Sequence, residues 1–155
     1  MDEVTVVAPG INGKMSEINA AFGMLQLQHI DAALDKRQSI DDTYRAMLRD
    51  VPGIRCLQDA GERKSNYSYF PILVEANYPL SRDELYQKLK DNNIYARRYF
   101  YPLITDFPMY RTMPSAHRDN LPVATAAAQK VLCLPIYPVF TLKDQQRVID
   151  VILDL

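Results

Sequence analysis

Apolar residues recur at Met15, Ile18, Phe22, Leu25, Leu27, Ile30 and Leu34, then at Ile40, Tyr44, Met47 and Leu48. Spacings of three and four place them on one face of a helix. Ser16 is the expected N-cap, Glu17 suits the positive end of the helix dipole, and Pro52-Gly53 ends the run. A single helix over this stretch would hold about 35 residues and reach roughly 50 Å. A helix of that length is expected to bridge two bodies or to kink, and to pack partly against something outside this chain.

Beyond Gly53 the period changes. Ile54 to Leu57 reads as a short strand. Tyr67 to Val74 reads as an aromatic and β-branched one, with Pro71 marking an edge or a bulge. Ser81-Arg82-Asp83-Glu84 is a capping box for a helix with Leu85, Tyr86 and Leu89 inward, ending near Asn92-Asn93. Ile94 to Tyr101 is expected to be a third strand running into a loop. Residues 102–122, with four prolines, form an irregular segment of the kind that is functional or mobile in a compact domain. Pro122 can open a helix to Lys130, Val131 to Ile136 is an apolar run broken by Pro135, and Thr141 caps a last helix carrying Leu142, Val148, Ile149, Ile152 and Leu153. The expected fold class is α/β (α+β): a long N-terminal helix, a small mixed or antiparallel sheet, and helices packed on one face.

Composition narrows the functions. At 155 residues, with 48% hydrophobic and 24% charged positions, the chain fits one globular domain. A net charge of -1 with interspersed signs gives no footprint for nucleic acid or an anionic membrane surface. No apolar run is long enough to span a bilayer. The start, Met1-Asp2-Glu3, is acidic where a signal peptide would be basic, so a cytoplasmic location is expected. Residues 2–8 read as the tail of a preceding segment. Cys56 and Cys133 lie in apolar runs and read as buried, reduced thiols. His29 and His117 are isolated, neither cysteine has a Cys-x-x-Cys partner, and no metal site or Ser-His-Asp arrangement is expected.

Two stretches carry candidate chemistry. Gly10-Ile11-Asn12-Gly13-Lys14 leads straight into the first helix, where backbone donors and the dipole favour an anion; Asn-Gly is equally a signal for a tight turn. Arg97-Arg98-Tyr99-Phe100-Tyr101-Pro102-Leu103 sets guanidinium groups beside phenols. That combination suits a nucleotide diphosphate, or else an exposed strand edge with packed aromatics.

The series Gly10, Asn12, Lys14, Met15, Ser16, Glu17, Ala20, Ala21, Gly23, Gln26, Leu27 resembles the segment opening the C-terminal domain of DegT/StrS-type sugar aminotransferases. These are enzymes of the type I aspartate aminotransferase superfamily that use pyridoxal phosphate (PLP). The Tyr99 to Leu103 segment, the Leu132-Cys133-Leu134-Pro135 run and the Tyr67-Tyr69-Phe70 strand are similar to later family segments, the last two as core structure. The resemblance implies residues 1–14 as an active-site loop or linker from a missing large domain, and 15–155 as the small domain. It implies Asn12 as a contact to the PLP phosphate of the neighbouring subunit in a homodimer, with Gly23 allowing close helix approach. Tyr99 and Tyr101, then Arg98 and Lys14, are the implied substrate contacts, and Cys133 is structural. No catalytic residue is expected in this chain, because the family's Schiff-base lysine lies upstream and none of the seven lysines stands in its context.

The implied activity of the full protein is transfer of an amino group, with glutamate as the expected donor, to a nucleotide-linked keto-deoxysugar for polysaccharide or glycoconjugate synthesis. The chain alone would then be inactive. A non-catalytic dimerisation or assembly module docking on a separate large-domain subunit, and a generic ligand-binding α/β domain, are the readings left open.

Overall fold

The structure is a computed structural model and describes residues 11, 13–58 and 65–154. The chain divides into two compact units, Met1–Ala32 and Ala33–Leu155. The first contains helix α1 (Glu17–Leu27), capped by Ser16, whose hydroxyl accepts the Asn19 amide. No residue of α1 is buried; Ile18, Phe22 and Leu25 are all exposed. A Cβ built on Gly23 would meet nothing within 4 Å.

The expected single long helix is two helices. α2 (Ile30–Leu48) begins after an interruption at Gln28-His29. There the Gln28 amide donates to Leu25 O and the His29 amide to Gln26 O. These are bonds over three residues rather than four, so the α-helix tightens and stops.

In the second unit, β1 (Ile54–Cys56), β2 (Phe70–Val74) and β3 (Val131–Leu134) form a sheet in that order, antiparallel throughout. α3 (Arg82–Asp91), α4 (Pro122–Lys130) and α5 (Leu142–Leu153) complete it. Three short 3-10 turns at 104–106, 114–116 and 118–120 occupy the proline-rich stretch. One face of the sheet, carrying Ile54, Phe70, Ile72, Val74, Leu132 and Leu134, forms the core. It is joined there by Tyr44 and Leu48 of α2, Leu85 and Leu89 of α3, and Val148, Ile149 and Ile152 of α5. Three buried side-chain donors inside this layer are paired, while Gln145 Oε1 is left without a partner among the described residues. Tyr78 donates to Ile152 O, Gln145 Nε2 to Ile40 O and Tyr44 to Pro135 O, as burial demands. No helix among the described residues is long and apolar enough to cross a membrane.

Two strand expectations are corrected. Pro71 sits in the central strand, not on an edge. The register explains its tolerance: Pro71 faces Cys133, whose own amide and carbonyl are taken by Arg97, so the Pro71 backbone points towards β1. β1 has already ended at Cys56, opposite Ile72, and the missing N–H breaks no ladder bond. Ile94 to Tyr101 is not a strand; only Arg97 pairs, in an isolated bridge with Cys133. The third strand is Val131–Leu134 instead.

Local caps hold as the residue types dictate. Ser81 and Glu84 form the full capping box of α3, Pro122 opens α4 and Thr141 caps α5. α3 ends in a Schellman motif, the Asn93 amide donating to Lys90 O and the Ile94 amide to Leu89 O, with Asn93 at φ 58°. Gly53, at φ 80°, turns the chain into β1, and a Cβ there would lie 2.2 Å from the Tyr78 amide nitrogen. Of the described left-handed residues, Gly53 and Asn93 should therefore respond oppositely. Gly53→Ala is expected to lower unfolding free energy by more than about 2 kcal/mol, whereas Asn93→Gly should leave it unchanged or raise it by up to about 1 kcal/mol. Urea denaturation of the two variants checks this.

Candidate functional site

The segment from Arg97 to Leu103 leaves the sheet at a fixed point. The Arg97 amide donates to Cys133 O at 3.0 Å and the Cys133 amide returns to Arg97 O at 2.8 Å. The next residue is held by α3: Arg98 Nη1 donates to Asp83 Oδ1 at 3.0 Å. Its guanidinium carbon lies 4.5 Å from the Tyr86 ring centre and 5.1 Å from that of Tyr101. Arg82 approaches Tyr101 too, at 4.5 Å. Arg82 is 4% exposed and donates to Ala128 O and Val131 O, with its Nε 2.8 Å from Asp83 Oδ1. Tyr101 is thus set against two guanidinium groups, an arrangement in which the ring face attracts the cations.

Tyr99 lies elsewhere. Its hydroxyl accepts from Tyr69 at 2.9 Å, the two rings stand 4.7 Å apart, and Phe100 stacks on Tyr99 at 3.8 Å. The hydrogen bond to Tyr99 pushes the Tyr69 phenol above its ordinary value, while the Arg97 charge pulls the other way. Beside Arg82 lies a hollow of about 330 Å³ lined by Asp83, Tyr101, Leu103, Asp106 and Arg118. On the Cys133 side a second hollow, of about 300 Å³, is lined by Ser68, Tyr69, Tyr95, Arg97, Cys133 and Tyr137.

The expected site residues separate as follows. Asn12 lies outside the described residues. Lys14 is exposed two residues before the Ser16 cap, in the first unit. Tyr101 and Arg98 are brought together; Tyr99 pairs with Tyr69 instead. Tyr69, expected as a core residue, is corrected: it precedes β2 and is 46% exposed, whereas Phe70 is buried. Sequence reasoning chose Arg98 over its neighbour, yet Arg97 is the arginine that opens on a hollow. The alternation of buried Ile94 and Ala96 with exposed Tyr95 and Arg97 was the available signal. Arg82 gave no such signal, since a charged residue in a first helical turn is ordinarily solvated.

Both cysteines are free. Burial pushes the Cys133 thiol up to about 11 from 9.0, so it is neutral and poorly nucleophilic near neutral pH.

The sequence matches the DegT/DnrJ/EryC1/StrS aminotransferase family over residues 1–153, and the chain belongs to that family. It is 58% identical over 136 residues to the dTDP-4-amino-4,6-dideoxy-D-glucose transaminase of Escherichia coli, covering 88% of this chain and 37% of that protein. It is 27% identical over 127 residues to the GDP-perosamine synthase of Vibrio cholerae, covering 82% of this chain and 34% of that one. Among solved structures, DesV of S. venezuelae, crystallised in complex with a ketimine intermediate, superposes with a TM-score of 0.82 at 26% identity. That match covers 99% of this chain and 40% of DesV. The chain therefore spans well under half the length of the relatives it matches.

The Cys133 thiol gives a pH prediction. Its folded-state value lies above its unfolded one, so the stability it contributes is complete below pH 9.0 and is lost as pH rises towards about 11. Cys133→Ala should flatten the decline of unfolding free energy between those two values. Denaturant titrations at a series of pH values would show it; an unchanged slope would place the thiol in a more solvated setting.

Proposed function

We propose that the protein to which this chain belongs is a PLP-dependent aminotransferase that aminates a nucleotide-linked keto-deoxysugar, with this chain as its C-terminal small domain. The observation that carries the reading is the 58% identity, across 88% of the chain, to a protein named as a dTDP-4-amino-4,6-dideoxy-D-glucose transaminase. Family membership supports the reaction class. A relative at 30% identity is named as a putative pyridoxal phosphate-dependent aminotransferase, which supports the cofactor. A dTDP-linked sugar is the proposed acceptor and glutamate the proposed donor. The proposed site of action is the cytoplasm, in a homodimer.

The residues present fit a phosphate-bearing cofactor at one end only. Around the start of α1 stand the Lys14 cation, first-turn amides and a Ser16 hydroxyl already used as the cap. This donor set suits a phosphate, tempered by the Glu17 carboxylate. Asn12 would donate its amide to that phosphate in the neighbouring subunit, adding a hydrogen bond without charge. When bound, PLP supplies the electron sink for moving an amine between carbon skeletons. The Schiff-base lysine is proposed to come from outside this chain. Here the work is binding and orientation. Tyr99 and Tyr101 offer phenols to the sugar nucleotide, Lys14 a nearby cation, and Arg98 holds the Tyr101 ring from the Asp83 side.

The exposed apolar residues of α1, Ile18 and Phe22 among them, favour one second reading, an assembly module that docks on a separate large-domain subunit. The two readings share a surface and differ in whether the joined protein turns over.

Joined to a lysine-bearing family domain, the chain should support amination of a dTDP-linked keto-sugar. Asn12→Ala should then weaken PLP retention about tenfold, the loss of one charge-assisted hydrogen bond, read by cofactor absorbance after dialysis. Borohydride reduction of the isolated chain with PLP should label no single lysine stoichiometrically; such a label would overturn the assignment of the lysine to another segment.

A further inference from the structure

Arg97 and Arg98 are neighbours with opposite surroundings. Arg98 is balanced by Asp83 and enclosed by two tyrosine rings. Arg97 makes no ion pair among the described residues and lines the 300 Å³ hollow. Among the described residues no Asp or Glu lines that wall: beside Arg97 stand Ser68, Tyr69, Tyr95, Tyr137 and Cys133, whose thiol burial keeps protonated. The hollow beside Arg82 differs, because there Arg82 and Arg118 face Asp83 and Asp106 and are paired with them. An arginine left unbalanced among neutral donors attracts an anion, and its planar fork matches a two-oxygen face.

The donors are also placed for one. Two backbone bonds to Cys133 fix the Arg97 main chain at the rim. Tyr69 gives its phenolic proton to Tyr99 and so walls the hollow without donating into it. Tyr95 and Tyr137 donate to no described residue; Tyr95 is 72% exposed and Tyr137 43%.

We propose that the Arg97 hollow is a binding site for the oxyanion of a small reactant, a carboxylate or a phosphate, gripped by the guanidinium and walled by tyrosine rings. For the source of that oxyanion, and for that alone, the proposal rests on the amination reading. An amino donor carries a carboxylate and a nucleotide-linked sugar carries phosphates.

The test follows the arginine Nε–H signals of the 155-residue chain by NMR during titration with sodium glutamate, inorganic phosphate or thymidine diphosphate at matched ionic strength. The Arg97 signal should shift saturably with at least one of them. The backbone amides of Ser68 and Tyr95, which line the hollow, should shift with it, and Arg97→Gln should weaken their response at least about tenfold while the β2–β3 amide shifts stay in place. Arg97→Lys should keep part of it, and Arg111→Gln, at an exposed arginine outside the hollow, should change nothing. Saturation by glutamate alone names the carboxylate as the source, and saturation by the phosphates alone names the nucleotide; either supports the site. No saturable shift with any probe, or a Ser68 and Tyr95 amide response that persists undiminished in Arg97→Gln, would overturn it. If Arg97 saturates yet the joined protein aminates no sugar, the amination reading fails and the oxyanion site stands.

Discussion

Arg82 is buried to 4% exposure in the first turn of α3, and the placement of the site segment depends on it. Its guanidinium reaches the carbonyls of Ala128 and Val131, where α4 passes into β3. The same group lies beside Asp83 and faces the Tyr101 ring. A buried cation is stable only beside acceptors and opposite charge, and these come from α3, the α4–β3 junction and the 97–103 segment, although Arg82 Nε makes no hydrogen bond of its own among the described residues. Compensating the Arg82 charge therefore holds three otherwise separate pieces of chain against one another.

The consequence is an alternation of roles along two consecutive residues. Asp83 draws Arg98 to the α3 side, and the aromatic faces of Tyr86 and Tyr101 enclose it. With the backbone pinned to Cys133 one residue earlier, Arg97 can only face the other way, towards Tyr69, Tyr95 and Tyr137. Two hollows of similar size result, one charge-balanced and one with an uncompensated cation. In the proposed enzyme the first would hold Tyr101 for the sugar nucleotide and the second would take a charged end of a reactant.

What the residues announced was local. Ser16, Ser81 and Thr141 cap helices because a side-chain oxygen two or three residues from an open amide needs no distant partner. Pro122 and Gly53 mark a helix start and a turn for reasons contained in one or two dihedral angles. What stayed hidden was non-local. β2 and β3 pair across more than half a hundred residues, and Pro71 could be read as central only once the end of β1 and the Arg97–Cys133 bridge were known. The interruption at Gln28-His29 carries no proline or glycine, so its apolar spacing read as continuous. Of the candidate site, the aromatic-arginine segment was legible and the distinction between its two arginines was not, because that distinction is made by Asp83 and Cys133. Asn12, expected from its motif, lies outside the described residues.

Amide hydrogen exchange in Arg82→Met, a substitution that keeps length and removes the guanidinium, addresses the central dependence most directly. If Arg82 anchors the site segment, protection at Arg97 and Cys133 should fall by at least about tenfold while the β1–β2 ladder, Arg55 to Leu73, keeps its protection. Unchanged protection at Arg97, or an equal loss over the whole sheet, would contradict that account.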